Sequence, residues 1–144
     1  MKNLLTLALI VFVFCTSCDN DKDEVVDETR LPTIAQEFVQ AHFPAAKVTQ
    51  VIRDRDNNDL DYDVTLDSGI KLGFDKDGNV EDIESRTKLP DTVIPQKVRE
   101  YVAATYPDHQ IIEWEKDRTE QEVKLSNNVE LKFDLTGTFL RIDK

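Results

Sequence analysis

The chain has 144 residues, 29 acidic against 18 basic, and a formal net charge of −11. Such a charge repels phosphate backbones and anionic lipid surfaces, which excludes nucleic-acid binding and leaves a covalent lipid as the route to a membrane. Two cysteines, Cys15 and Cys18, both near the N-terminus, offer no disulfide framework for the rest of the chain, so a single domain held by an apolar core is expected.

The N-terminus reads Met1-Lys2-Asn3, then an apolar run from Leu4 to Phe14 broken only by Thr6, then Cys15-Thr16-Ser17-Cys18. A bilayer span needs about 20 apolar residues, and this run is shorter. The pattern is that of a secretory signal: a positive start, an apolar centre and a small-residue cleavage site. Thr16-Ser17 before Cys18 predicts residues 1–17 as a lipoprotein signal peptide and Cys18 as the lipidated first residue of the mature protein. The other reading is an ordinary secretory signal with a leftover thiol at Cys18. Cleavage before Cys18 removes Cys15 and acylates Cys18, so thiol catalysis and thiolate metal sites disappear together. The expected location is the cell envelope, lipid-anchored in the outer membrane and either periplasmic or surface-exposed.

Residues 18–30, dense in Asp and Glu, read as an acidic, disordered tether. From residue 31 the chain repeats itself. Leu31-Pro32, Phe38-Val39 and Phe43-Pro44 recur as Ile94-Pro95, Tyr101-Val102 and Tyr106-Pro107 at a spacing of 63. Val64, Leu66, Ile70, Leu72, Phe74, Gly78 and Ile83 recur as Val123, Leu125, Val129, Leu131, Phe133, Gly137 and Ile142 at a spacing of 59. The boundaries are repeat 1 at 31–85 and repeat 2 at 86–144, together one structural domain.

In each copy the apolar period changes from helical to alternating. Ile34, Ala35, Phe38, Val39 and Phe43 form a helical stripe opened by Pro32 and ended by Pro44, and Ile94, Val98, Tyr101, Val102 and Tyr106 do the same between Pro95 and Pro107. Alternation then predicts strands around Lys47–Arg53, Tyr62–Leu66, Ile70–Phe74 and Asn79–Ile83, with counterparts at Gln110–Lys116, Val123–Leu125, Val129–Phe133 and Thr138–Ile142. The fold class is α+β: two tandem units of one helix and four antiparallel strands, sharing a continuous sheet with its helices on one face. Alternation sends Asp61, Asp63, Thr65, Lys71 and Gly73 of the first copy, and Glu122, Lys124, Glu130 and Lys132 of the second, to the other, charged face.

A Leu-Pro helix ending in Phe-Pro, followed by Tyr-Asp-Val-Thr-Leu-Asp-Ser-Gly-Ile-Lys-Leu-Gly-Phe-Asp-Lys-Asp-Gly-Asn-Val (62–80), resembles the PepSY-like family of secreted Bacteroidetes proteins. Their fold is similar to the tandem-repeat β-lactamase inhibitor protein. The resemblance spans 31–144 and implies that the open sheet face is a binding surface. The chain departs from the pattern at Asn127-Asn128, which replace a turn glycine, and at Gly73, which replaces a larger residue.

Catalytic groups are sparse. His42 and His109 lie near helix C-termini, where the helix dipole alone favours them, and no nucleophile elbow or phosphate-cradling glycine loop is present. Asp54, Asp56 and Asn58 begin like a calcium loop with oxygen ligands at alternate positions, but Asp59 stands where the turn glycine belongs and Thr65 where a bidentate Glu belongs. A polar hairpin insertion and a calcium site are the two readings there, and calcium is the only cofactor the sequence suggests. Trp114 matches Val51 of the first copy, so it is either core or, if exposed, a binding anchor. The sequence therefore points to a non-enzymatic, lipid-anchored binding module, inhibitor-like in form. Its partner would be a protein, peptide or other envelope ligand met through Lys71, Asp63, Glu130, Lys132 and Trp114. The alternatives are a calcium- or ligand-sensing accessory lipoprotein and a structural spacer.

Overall fold

The computed structural model of the chain describes residues 23–56 and 59–143, the side chains of Asp56 and Asp59 excepted. Among these residues are two helices, α1 (Thr33–His42) and α2 (Gln96–Thr105), and nine strands. The strands are β1 (Glu24–Val25), β2 (Val48–Asp56), β3 (Asp59–Leu66), β4 (Lys71–Phe74), β5 (Val80–Glu84), β6 (Ile111–Lys116), β7 (Glu120–Leu125), β8 (Glu130–Asp134) and β9 (Phe139–Asp143). All nine form one antiparallel sheet whose spatial order is the chain order.

The internal likeness extends to backbone detail. Pro32 and Pro95 open their helices at φ/ψ of −53°/145° and −54°/139°, their fixed φ already close to that of a helix. Phe43 and Tyr106 end them at −131°/50° and −130°/58°, each donating its N–H to the carbonyl four residues back. Register shifts recur at Val48/Gln50 and Ile111/Glu113, and again at Gly73/Phe74 and Lys132/Phe133. At the β7–β8 turn Asn128 adopts φ 64°, matching Gly69 at φ 83° in the β3–β4 turn. Asn tolerates that left-handed region better than other side chains, which is why the turn survives without glycine.

A single core runs through both repeats. Val64, Leu66, Leu72, Phe74 and Ile83 join Val123, Leu125, Leu131 and Phe133, with Ala35, Val39, Val98 and Val102 from the helices. Phe38 of α1 meets Phe74 edge-on with ring centres 5.8 Å apart, and Tyr101 of α2 meets Phe133 the same way at 5.4 Å while stacking on Phe139 at 4.6 Å.

Within the stretch expected to be a tether, residues 24–30 carry local structure. β1 pairs with β2, and a 3-10 turn at Glu28–Arg30 is capped by the Asp27 carboxylate, which accepts from the Thr29 N–H at 3.0 Å. The acidic run predicts self-repulsion, but Arg53 on β2 supplies the opposite charge and pairs with Glu24. Val26 adds a backbone bond to the Val51 carbonyl. Residues 1–22, including the predicted signal peptide and Cys18, lie outside the described residues.

Candidate functional site

Alternation along β3, β7 and β8 buries one set of side chains and leaves the other exposed or half-buried, whereas the edge strand β9 buries neither set and exposes Ile142, the counterpart of buried Ile83. On that accessible side the register assembles two rows across the sheet. One runs Ile52, Asp63, Gly73, Asp82, Glu115, Glu122, Lys132, Arg141; the other runs Gln50, Thr65, Lys71, Glu84, Glu113, Lys124, Glu130, Asp143.

The seam between the repeats is β5–β6, and there the rows place acid opposite acid: Asp82 faces Glu115 and Glu84 faces Glu113. Like charges directly opposite in a sheet are destabilising. Asp82 also leans over Gly73, where a Cβ would overlap its carboxylate, so the missing side chain at Gly73 makes the space that Asp82 fills. Burial above all, then the charges of Asp63, Glu115, Glu84 and Glu113, pushes Asp82 up to about 6. Asp63 is raised for the same first reason, with Asp54 and Asp23 adding to it and Lys71 opposing.

Further along, in repeat 2, the same rows neutralise themselves. Lys124 reaches Glu130 at 3.1 Å and Glu113 at 3.7 Å; Lys132 reaches Glu122 at 2.9 Å and Asp143 at 3.4 Å. Arg141 grips Glu120 through two parallel bonds of 2.8 Å. These bonds raise both lysines above the ordinary value, Glu130 acting first on Lys124 and Glu122 first on Lys132.

Of the residues singled out from the sequence, Asp63, Lys71, Glu130 and Lys132 all lie on the accessible side, Lys71 paired to Glu84 at 3.2 Å. Trp114 is core, only 5% exposed, and donates its indole N–H to Gln121 Oε1 at 3.1 Å; Gln121 in turn donates to the Asp134 carbonyl at 2.9 Å. The reason is a trade across the β6–β7 pair: Val51 and Tyr62 of repeat 1 become Trp114 and Gln121, so the bulk moves one strand over and the polar amide satisfies the indole. Asp54 lies opposite Asp61 on the β2–β3 hairpin, Asp56 is placed in β2 without a described side chain, and Asn58 lies outside the described residues. Among the described residues no three His, Cys, Asp or Glu side chains group closely enough to hold a metal ion.

Sequence reasoning missed the seam residues Asp82, Glu84, Glu113 and Glu115. Their like-charge pairing depends on β5 lying beside β6, and the repeat pattern was the one signal from which that adjacency could have been drawn.

The architecture is that of an α+β protein with two helices and a nine-stranded antiparallel sheet. The chain belongs to the family described as "Putative beta-lactamase-inhibitor-like, PepSY-like", which matches it twice, over residues 17–82 and 60–141. It is 37% identical to a "putative calcium-regulated periplasmic protein" from Bacteroides thetaiotaomicron, covering 85% of this chain and 97% of that one with a TM-score of 0.81. It is 38% identical to a periplasmic protein of the DUF2874 family from Bacteroides vulgatus, over 88% of this chain and 99% of that one, TM-score 0.79. A second Bacteroides vulgatus periplasmic protein, of unknown function, is 34% identical over 85% and 100%, TM-score 0.82. A search of curated proteins finds no match. The structural neighbours are thus described as periplasmic, and no helix among the described residues is long and apolar enough to cross a membrane.

Proposed function

We propose that this protein is a non-enzymatic binding module of the cell envelope, anchored through lipid on Cys18, with its helices covering one face of the sheet and the other face offered to a cationic partner. One observation carries the reading: the β5–β6 seam sets Asp82 against Glu115 and Glu84 against Glu113, an arrangement that weakens the sheet. Local rules of this kind are broken where binding compensates for the loss. A protein or peptide presenting Lys or Arg would neutralise Asp82 and Glu115 in particular, since Glu84 and Glu113 already meet Lys71 at 3.2 Å and Lys124 at 3.7 Å, and the inhibitor-like family fits a protein partner.

The experiment is a crosslinking pull-down from native envelopes with the intact protein and with a Glu113→Lys/Glu115→Lys variant. The reading requires a partner that is lost on charge reversal and weakened by salt. A partner that survives both would move binding to another surface. Labelling with a radioactive fatty acid tests the anchor: the label should vanish in Cys18→Ala.

A calcium-responsive form of this reading draws on the description of one structural neighbour as calcium-regulated. Asp54 and Asp61 place two carboxylates opposite each other on the hairpin, and among the described residues no group of three His, Cys, Asp or Glu includes them. Unfolding temperature measured after chelation and again with millimolar calcium decides it: a rise supports the site, and no change removes it.

A further inference from the structure

The connection between the repeats arches over the start of β6. Ser85 donates its N–H to the Ile112 carbonyl at 2.9 Å and Leu89 to the Ile111 carbonyl at 2.9 Å, so this wall is tied to the sheet rather than hanging free. Between it and α2 lies a cleft of about 440 Å³. Its floor is apolar, made by the buried side chains of Leu89, Ile94, Val102 and Ile111.

Arg99 stands at its rim. Its Nε donates to the Ile94 carbonyl at 3.1 Å, while among the described residues no hydrogen bond or ion pair engages its two terminal nitrogens. Of the acids nearby, Asp91 accepts from Lys88 at 2.8 Å and also feels the charge of Arg99 without forming an ion pair with it, and Glu100 accepts from Gln96 at 2.7 Å. The matching residue of repeat 1 is Gln36, whose Nε2 donates to the equivalent Leu31 carbonyl at 2.8 Å. An amide is therefore enough for the structural bond. The arginine makes that bond with one nitrogen and keeps two further nitrogens on a residue that lines the cleft, on a protein that is otherwise strongly acidic.

We propose that this cleft binds a carboxylate carried on an apolar body, its two oxygens taken by the Arg99 fork and its body laid on Leu89, Val102 and Ile111. A guanidinium matches a carboxylate in bidentate geometry, and pockets of a few hundred Å³ with an apolar lining and few polar groups suit small ligands. The carboxylate could belong to a free organic acid or to a peptide C-terminus. This site is independent of the acidic seam, and neither reading depends on the other.

Two probes separate the sources: 4-phenylbutyrate and N-acetyl-leucyl-phenylalanine, each compared with its amide by amide NMR titration of the intact protein. The expected result is saturable shifts at Leu89, Val102 and Ile111 with at least one acid, about tenfold weaker binding of the amide, and about tenfold weaker acid binding in Arg99→Gln. Saturation by the dipeptide alone identifies a peptide C-terminus; saturation by phenylbutyrate alone identifies a free acid. Arg99→Gln should fold as the parent does, because Gln36 already makes the same bond. Ala103→Glu, an exposed substitution on α2 at the cleft, gives a second variant that should lose acid binding. Acid and amide binding alike, unchanged acid affinity in either variant, or no saturation by either acid would overturn the proposal.

Discussion

The two repeats share a backbone and part company in their charges. On the accessible side of repeat 2, Lys124, Lys132 and Arg141 each meet one or two carboxylates, and the rows close on themselves. On repeat 1 and along the seam, Lys71 meets Glu84, while Asp63 and Asp82 are held in their neutral direction by burial and by neighbouring acids. A fold can therefore be copied with one set of residues and given a different electrostatic character with the other, because a strand sends the two sets to opposite sides.

The largest effect tests what the halves have in common. Phe74→Ala and Phe133→Ala each empty an equivalent, fully buried site, and each should cost about 3–5 kcal/mol in denaturant unfolding. Both variants should unfold in one transition, since the core is continuous; two transitions would separate the repeats energetically.

The difference between the halves is sharpened by pH. The folded state holds Asp82 near 6 against an ordinary 3.8, so its stabilising contribution is complete below about pH 4 and is lost as pH rises through 6. Asp82→Asn should therefore stabilise the protein at about pH 7.5 by on the order of 1–2 kcal/mol and have little effect near pH 4.5. A destabilised variant at pH 7.5 would mean that the carboxylate is favourably paired. In repeat 2 the sign reverses: Lys132→Met removes the partner of Glu122 and Asp143 and should cost up to about 1 kcal/mol in low salt, less in high salt. The smallest change is Asn128→Gly, which relieves the left-handed φ and should raise stability by a few tenths of a kcal/mol in a thermal scan.

Much of the fold was legible because each apolar period had one interpretation. Pro32 and Pro95 fixed helix starts, and the alternation from Tyr62 to Phe74 fixed which side each residue takes. β1 was hidden, since a two-residue strand has no period of its own and its pairing depends on Arg53 some 29 positions away. The acid-against-acid pairs of the seam and the Arg99 cleft were hidden for a related reason. Each brings together segments whose proximity is set by the path of the 85–95 connection, which no local pattern encodes. Trp114 could be weighed only as core or anchor until Gln121 appeared beside its indole nitrogen.

The sheet's spatial order repeats its chain order, and this has a kinetic consequence. Every ladder joins strands adjacent in sequence, so no strand must wait for a distant partner, and the longer closures, from β1 to β2 and from β5 to β6, each carry a helix that shortens them. Folding can proceed as a zipper from either end, hairpin by hairpin, with low loop-closure entropy at each step. The protein should therefore reach its native state quickly for a structure dominated by β-sheet.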